Sequence, residues 1–464
     1  MIHRWLQYSA VLFLCSWLQP HGSGAESRRP SKPNIIFILA DDLGYGDLGC
    51  YGQRMIRTPR LDHMAAEGLR FTQCYAGTTV CAPSRSSLMT GQHTGHTRVR
   101  GNERYPLQPG DVTVAAVLRQ AGYRTALIGK WGLGDPDTTG SPIKQGFDEF
   151  FGYTNQRHAH NYYPSYLWRN EQKVALPNQV ANEDKEGAGV STNRVAYSQD
   201  LFTNEALQFL ERNQSRPFFL YLAYTLPHAN NENKAQGMEI SGDAPYSNEP
   251  WPQAERNKAA MITRLDQDVG RILDRLRQLG LDANTCVFFA SDNGPHKEGG
   301  VAPDFFRSSG PFRGIKRDLY EGGIRVPLLV RWPGTIPAGR ITAHVCAFWD
   351  FLPTAAALAG PDAIPFIPAR GIDGKLPSSP RSSANPISPS PGSSTGSFTK
   401  AVPNKRSATA DGKPCACPQA NRWSSMTSAS IRARRRTSPS NIPRRSSRSK
   451  HTCKTPGRNP NRGH

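Results

Sequence analysis

The chain has 464 residues, 37% of them hydrophobic, and a formal net charge of +20 at pH 7. That length supports one large α/β domain or a few smaller ones around a well-buried core, and nine scattered cysteines exclude a small disulfide-framed fold. The distribution of the charge argues against nucleic acid: residues 377–464 hold 17 Lys and Arg against one acid, Asp411, and the remainder has 40 basic and 36 acidic residues, a nearly neutral balance.

At the N-terminus, His3 and Arg4 precede an apolar run from Trp5 to Leu18, and Ser23 and Ala25 follow in a small-x-small pattern. This predicts a signal peptide over residues 1–25, cut after Ala25. The run is short for a bilayer span, which takes about 20 apolar residues. The mature protein is expected to be secreted or periplasmic, with no membrane attachment and no nucleic-acid partner. Once Cys15 leaves with that segment, Cys50, Cys74, Cys81, Cys286 and Cys346 remain ahead of the tail. They show no CxxC spacing of the kind that binds zinc.

Four short apolar runs read as buried strands, each leading into polar groups. Asn34–Ala40 (NIIFILA) runs into Asp41 and Asp42. Residues 125–129 (TALIG) run into Lys130, residues 218–224 (FFLYLAY) approach His228, and residues 286–290 (CVFFA) approach Asp292 and Asn293. Between them lie helical patterns. Asp111 is placed to cap VTVAAVLRQA, which Gly122 ends. Met261, Leu265, Val269, Ile272, Leu276 and Leu279 recur at spacings of three and four before Gly280, the signature of an amphipathic helix.

Strands alternating with helices predict an α/β three-layer sandwich with a largely parallel or mixed central sheet. Ligands in such folds bind beyond the carboxyl ends of the strands, so the polar groups at these four strand ends should converge. The connections at 135–200 and 229–252 are long and rich in Tyr, Asn, His and Gly. Loops of that length carry function or local structure.

Taken singly, these residues have ordinary readings. A cysteine such as Cys81 is most often a small buried hydrophobe, and Asp-Asp before Gly is most often a turn or cap. Two longer motifs change that. Cys81-Ala82-Pro83-Ser84-Arg85 is followed by SSLMTG, and Gly122 to Lys130 reads GYRTALIGK. Together they resemble the signatures of the type I, formylglycine-dependent sulfatases, arylsulfatase-like enzymes of the alkaline-phosphatase-like superfamily. The resemblance runs from about residue 32 to 374.

It implies that a maturation enzyme oxidises Cys81 to formylglycine (3-oxoalanine). One hydroxyl of the hydrated aldehyde would attack sulfur, and the second would later help to expel sulfate. Asp41, Asp42, Asp292 and Asn293 would ligate a metal, and an all-oxygen protein donor set suits Ca2+. Arg85, Lys130 and Lys316 would surround the sulfate. His228, in LPHAN, would bind a sulfate oxygen and protonate the departing alcohol. The substrate is expected to be a sulfate ester, aryl in vitro and a sulfated small molecule or polysaccharide in nature. One position departs from the family pattern: where many members carry Lys-Trp-His, this chain has Lys130-Trp131-Gly132. His158 and His160, in QRHAHNYYP, are candidates for the missing contact or for contacts to substrate, and His296, in SDNGPHKEGG, is another near the metal end. A phosphodiesterase or phosphonate hydrolase of the same superfamily is the alternative enzyme reading.

The composition changes near residue 375. Ser, Pro, Arg and Ala take over and apolar periodicity stops, which also suits a disordered basic linker. Shifted by one base, however, codons for NKRSATADGKPCA (404–416) can spell QAVRYGRWKAVR, and those for WSSMTS (423–428) can spell LELYDL. These strings resemble the C-terminal part of a sulfatase. The expectation is a catalytic domain over 26–376 followed by an out-of-frame, disordered tail over 377–464. The antiparallel C-terminal subdomain of the family would then be lost, and an inactive truncated product is the third reading.

Overall fold

The computed structural model describes residues 32–368 and 371–374. The expectations for residues 1–25 and for 377–464, including the fate of a C-terminal subdomain, lie outside the described residues. In chain order the strands are β1 (Asn34–Ala40), β2 (Leu69–Tyr75), β3 (Arg124–Lys130), β4 (Glu149–Tyr153), β5 (Tyr166–Arg169), β6 (Gln172–Ala175), β7 (Gln179–Ala181), β8 (Val190–Asn193), β9 (Phe218–Ala223), β10 (Thr285–Ser291), β11 (Arg325–Arg331), β12 (Arg340–Thr342) and β13 (Cys346–Ala347). The helices are α1 (Pro59–Ala66), α2 (Cys81–Thr90), α3 (Val114–Gln120), α4 (Ser198–Arg212), α5 (Gln253–Gln278), α6 (Glu321–Ile324) and α7 (Phe351–Ala359).

The main sheet runs β12-β2-β11-β10-β1-β9-β3-β4-β5-β6, with β13 beside β2, and β7 pairs β8 separately. Its middle, from β10 through β1, β9 and β3 to β4, is parallel. Antiparallel pairings begin at β11 on one side and β5 on the other, so the sheet is mixed. Strand β1 is buried along its whole length, and its side chains alternate between two cores. Ile36, Ile38 and Ala40 join the cluster that takes in Leu61 of α1, Phe202 of α4 and Leu265 and Ile272 of α5. Ile35, Phe37 and Leu39 join Leu88 of α2, Val117 and Leu118 of α3 and Leu352 of α7. This alternation makes the three layers. Five parallel strands end on the same edge, and the polar residues of the sequence motifs follow those ends.

One local expectation is corrected, and one helix is longer than its apolar repeat. Asp111 does not cap α3. Its carboxylate accepts the Gln108 N–H at 2.8 Å within a turn, and the cap is Thr113, whose hydroxyl accepts from the Ala116 N–H at 3.1 Å. Helix α5 starts at Gln253, well before the apolar repeat beginning at Met261. Its first turns bury polar groups instead: Glu255 accepts the Ala302 N–H at 2.6 Å and Lys258 donates to Ser308 Oγ at 2.6 Å. The long 135–200 connection contains β4 to β8 and so has local structure. No helix among the described residues is long and apolar enough to cross a membrane.

Candidate active site

Cys81 is the first residue of α2, a ten-residue helix buried along its whole length. The orphan N–H groups of a helix start face this end. The next amide, of Ala82, donates to Asn102 Oδ1 at 3.0 Å. Arg85 lies one turn on, at i+4, on the same face. Its guanidinium donates to Asp292 Oδ2 through Nε at 3.0 Å and Nη2 at 2.8 Å, and to the Lys130 carbonyl through Nη1 at 2.8 Å. Nη2 also lies 3.3 Å from Asp41 Oδ2. One side chain thus links α2 to the ends of β1, β3 and β10.

The two aspartates after β1 are aimed by backbone geometry. The Asp41 N–H donates to the Leu226 carbonyl at 3.0 Å. Asp42 has φ 65°, a left-handed conformation that Asp tolerates better than most residues. Its N–H donates to Asp292 Oδ1 at 3.1 Å, and Ser291 Oγ accepts the Leu43 N–H at 2.9 Å. Asp41 Oδ1 comes within 3.3 Å of Cys81 Sγ, while Oδ2 accepts from Lys130 Nζ at 2.6 Å. Asp42 Oδ2 accepts from Lys316 Nζ at 2.7 Å, and the same Nζ lies 3.2 Å from His228 Nε2. Asp41, Asp42, Asp292, Asn293, Arg85 and Lys130 are all fully or almost fully buried.

Three carboxylates and three cations therefore share one dry cluster. Burial opposes the charge on Asp41, but Lys130, then His228, Arg85 and Lys316 outweigh it and hold the carboxyl well below its usual range. Burial and the neighbouring Asp41 push Asp292 up, against the pull of Arg85. Burial, then Asp292 and Asp41, push the Cys81 thiol well above its ordinary value. As a cysteine it stays protonated and is a poor nucleophile. Burial works against the charge on Lys316, but Asp42 and its neighbours keep the amine firmly protonated. Burial, then Lys316, hold His228 well below the usual imidazole range. Its Nδ1 lies 2.6 Å from the Ala229 carbonyl, which leaves Nε2 to accept from Lys316.

The donor chemistry fits a hard cation. Asn293 Nδ2 donates to Asp42 Oδ1 at 2.7 Å and to the Gly294 carbonyl at 2.9 Å. Its Oδ1 is buried with no hydrogen-bond partner among the described residues. An orphaned carboxamide oxygen beside three carboxylates needs an explanation, and an oxygen-coordinated cation supplies one. Among the described residues, Asp41, Asp42, Cys81 and His228 bring their ligand atoms within 4.8 Å of one another. That tighter set mixes sulfur and nitrogen with oxygen. The set with Asp292 and Asn293 is the one that leaves the amide oxygen accounted for.

The three further histidines take different places. His160 stacks on His228 with ring centroids 4.9 Å apart and holds Glu232 at 3.0 Å, so it borders the site. His296 is fully buried behind His228, with centroids 6.0 Å apart and Nε2 3.1 Å from the Pro227 carbonyl. His158 is fully buried between Tyr153 and Tyr166, and burial lowers its pKa to about 3. None of the three stands at Gly132. The group beside that glycine is Gln156. Neither Gln156 nor Asn102 belongs to either sulfatase motif, and both lie outside the helices and strands.

Against known proteins, the family model described as Sulfatase matches residues 33–361. N-acetylgalactosamine-6-sulfatase of Sus scrofa is 35% identical over 354 residues, which are 71% of this chain and 63% of that protein. Arylsulfatase G of Rattus norvegicus is 34% identical over 383 residues, 75% of this chain and 69% of that protein. The chain thus spans less than two thirds of the porcine relative's length. Among solved structures, Ps i-CgsB in complex with k-i-k-neocarrahexaose superposes with a TM-score of 0.61 at 27% identity, covering 75% of each chain. PsFucS1 sulfatase from Pseudoalteromonas sp. gives 0.58 at 25% identity, covering 75% of this chain and 72% of that one.

Proposed function

Because the chain belongs to the sulfatase family, we propose that it is a secreted or periplasmic sulfuric ester hydrolase using Cys81, as formylglycine, for nucleophilic attack on sulfur. The supporting observation is the convergence, at the ends of parallel strands, of Cys81 with Asp41, Asp42, Asp292, Asn293 and three buried cations. No sequence-adjacent set of residues could make that arrangement.

Asp41, Asp42, Asp292 and Asn293 are the residues that would hold Ca2+. Protein supplies four oxygen donors here, which suits calcium better than magnesium. A bound calcium ion would supply Lewis-acid polarisation of the ester and hold it in place. The hydrated aldehyde would supply a hydroxyl nucleophile that the protonated Cys81 thiol cannot. Cys81 is only 1% exposed, so its oxidation by a maturation enzyme must precede closure of the fold.

The chain's own side chains do the rest. Arg85 fixes the Asp292 carboxylate with a two-point grip and so sets the geometry around residue 81. Lys130 is held by Asp41 and Lys316 by Asp42, and both offer positive charge to the sulfate oxygens as negative charge builds. Their ammonium groups have no water to compete with, which strengthens the effect. Lys316 Nζ donates to His228 Nε2 at 3.2 Å, and the imidazole lies beside Cys81 and the carboxylate pair. In this pair Lys316 carries the proton and is the donor for the departing alcohol, and His228 orients its ammonium group. The natural substrate is a sulfated carbohydrate, the class to which N-acetylgalactosamine-6-sulfatase owes its name.

The test is a comparison of kcat/KM for 4-nitrophenyl sulfate with that for bis(4-nitrophenyl) phosphate and for a phenylphosphonate ester. Faster sulfate hydrolysis is expected. A higher value on either phosphorus substrate would move the chain to the phosphodiesterase or phosphonate hydrolase reading.

A further inference from the structure

Gly132 has φ 80°, and a Cβ there would overlap the carboxamide nitrogen of Gln156. Gln156 reaches this point from the loop after β4, held close by the Gly132 N–H donating to the Thr154 carbonyl at 3.1 Å. Both polar atoms of its carboxamide are buried, and neither has a hydrogen-bond partner among the described residues. Buried polar groups are normally paired, so this carboxamide has hydrogen-bonding capacity that the described residues do not use.

Gln156 and Gly132 line one cavity of about 330 Å³, a volume typical of small-ligand sites. The same cavity is lined by Asn102, the residue that accepts the N–H next to Cys81. The cavity therefore adjoins the start of the nucleophile's helix. Its charges are lopsided: Glu103, Asp135, Asp137 and Glu186 stand against Arg104 and Arg157. Both arginines are already engaged, Arg104 with Asp135 and Glu186, and Arg157 with Asp184 and Glu186. A second anionic group on a ligand would find no spare cation there.

We propose that this cavity receives the uncharged, hydroxyl-bearing part of the sulfate ester, and that Gln156 is its specificity-determining contact, occupying the place left open by Gly132. A carboxamide offers donors and an acceptor side by side, which matches a hydroxyl that both gives and receives a hydrogen bond. A plain aryl group offers neither. The inference rests on the sulfatase reading and narrows it to singly sulfated saccharides whose remaining groups are neutral.

The test is calorimetric titration of the full chain carrying Cys81→Ala, which prevents turnover. The probes are N-acetylgalactosamine 6-sulfate, glucosamine 2-N,6-O-disulfate, 4-nitrophenyl sulfate and inorganic sulfate. Adding Gln156→Ala should weaken the monosulfated sugar by roughly tenfold and leave 4-nitrophenyl sulfate and inorganic sulfate unchanged within about twofold. Gln156→Glu, which keeps the shape and the fold, should weaken the same sugar. The disulfate should bind less tightly than the monosulfate. Unchanged sugar binding in Gln156→Ala, an equal loss on all four probes, or tighter binding of the disulfate would overturn the proposal while leaving the sulfatase reading intact. Failure of every probe, inorganic sulfate included, to bind would instead remove the sulfatase reading, and this inference with it.

Discussion

At the residue scale, Arg85 shows how the site uses charge for architecture as well as chemistry. Removing it leaves Asp41 and Asp292 buried without their shared cation, a loss that typically costs about 3–5 kcal/mol. Arg85→Ala is expected to lower the urea midpoint accordingly. Arg85→Lys should recover part of that stability but not the activity, because an ammonium cannot reproduce the two-point grip on Asp292. Asn293 is tested through stability as well. Ca2+ should raise the melting temperature of the wild type by mass action, and Asn293→Leu should abolish that gain even if the chain folds. A calcium effect of the same size in both would remove Asn293 from the ligand set. His158 gives a pH prediction away from the metal residues. Its pKa is depressed to about 3 by burial, against about 6.5 in an unfolded chain. The unfolded state therefore binds the proton first, and the contribution of neutral His158 is complete above about pH 6.5. It is lost as pH falls towards 3, on the order of a few kcal/mol. Thermal melts across that window should fall less steeply for His158→Phe, which keeps the packing against Tyr153 and Tyr166 and has no proton to take up.

At the element scale, the precision of the site depends on how closely the parallel strands approach at their carboxyl ends. Gly129 has φ 109°, and a Cβ there would run into the Ala223 carbonyl of β9, while a Cβ on Gly152 of β4 would meet the Gly129 carbonyl. Gly129→Ala should wedge β3 away from β9 and shift Lys130, the next residue. The expected result is a large loss of kcat with a smaller change in KM, together with a destabilisation of about 1–3 kcal/mol. Wild-type kcat in Gly129→Ala would show that strand spacing does not set the site. The same scale explains what could be read beforehand. The strand ends at Asp41, Lys130 and Asp292 were legible because buried parallel strands are continuous apolar runs, and a polar residue after such a run marks an end. Strand β2 was not legible, because its residues are mostly half-buried and carry no continuous run. The start of α5 was missed because Glu255 and Lys258 are buried through hydrogen bonds rather than by apolar character. Gln156 was beyond reach for a different reason. Its importance comes from a gap at Gly132, twenty-four residues earlier in the chain, which only the fold brings beside it.

At the scale of the whole molecule, the match to the sulfatase family ends at residue 361, shortly before the composition changes. Residues 377–464 lie outside the described structure, and the out-of-frame proposal for them is tested at the level of the gene. The native codons should permit the shifted strings QAVRYGRWKAVR and LELYDL, and restoring one base near codons 374–377 should raise sulfatase activity over that of the chain as it stands. Codons incompatible with those strings would end the proposal. The remaining residues are close to neutral overall, and the buried cluster at the strand ends joins three carboxylates to three cations. That cluster makes the central claim testable in a single comparison. The chain and its Cys81→Ala variant, each produced together with a formylglycine-generating enzyme, are assayed for release of 4-nitrophenol from 4-nitrophenyl sulfate. Loss of the nucleophile should reduce kcat by at least about a thousandfold, whereas equal rates in the two proteins would contradict the assignment of Cys81 as the nucleophile.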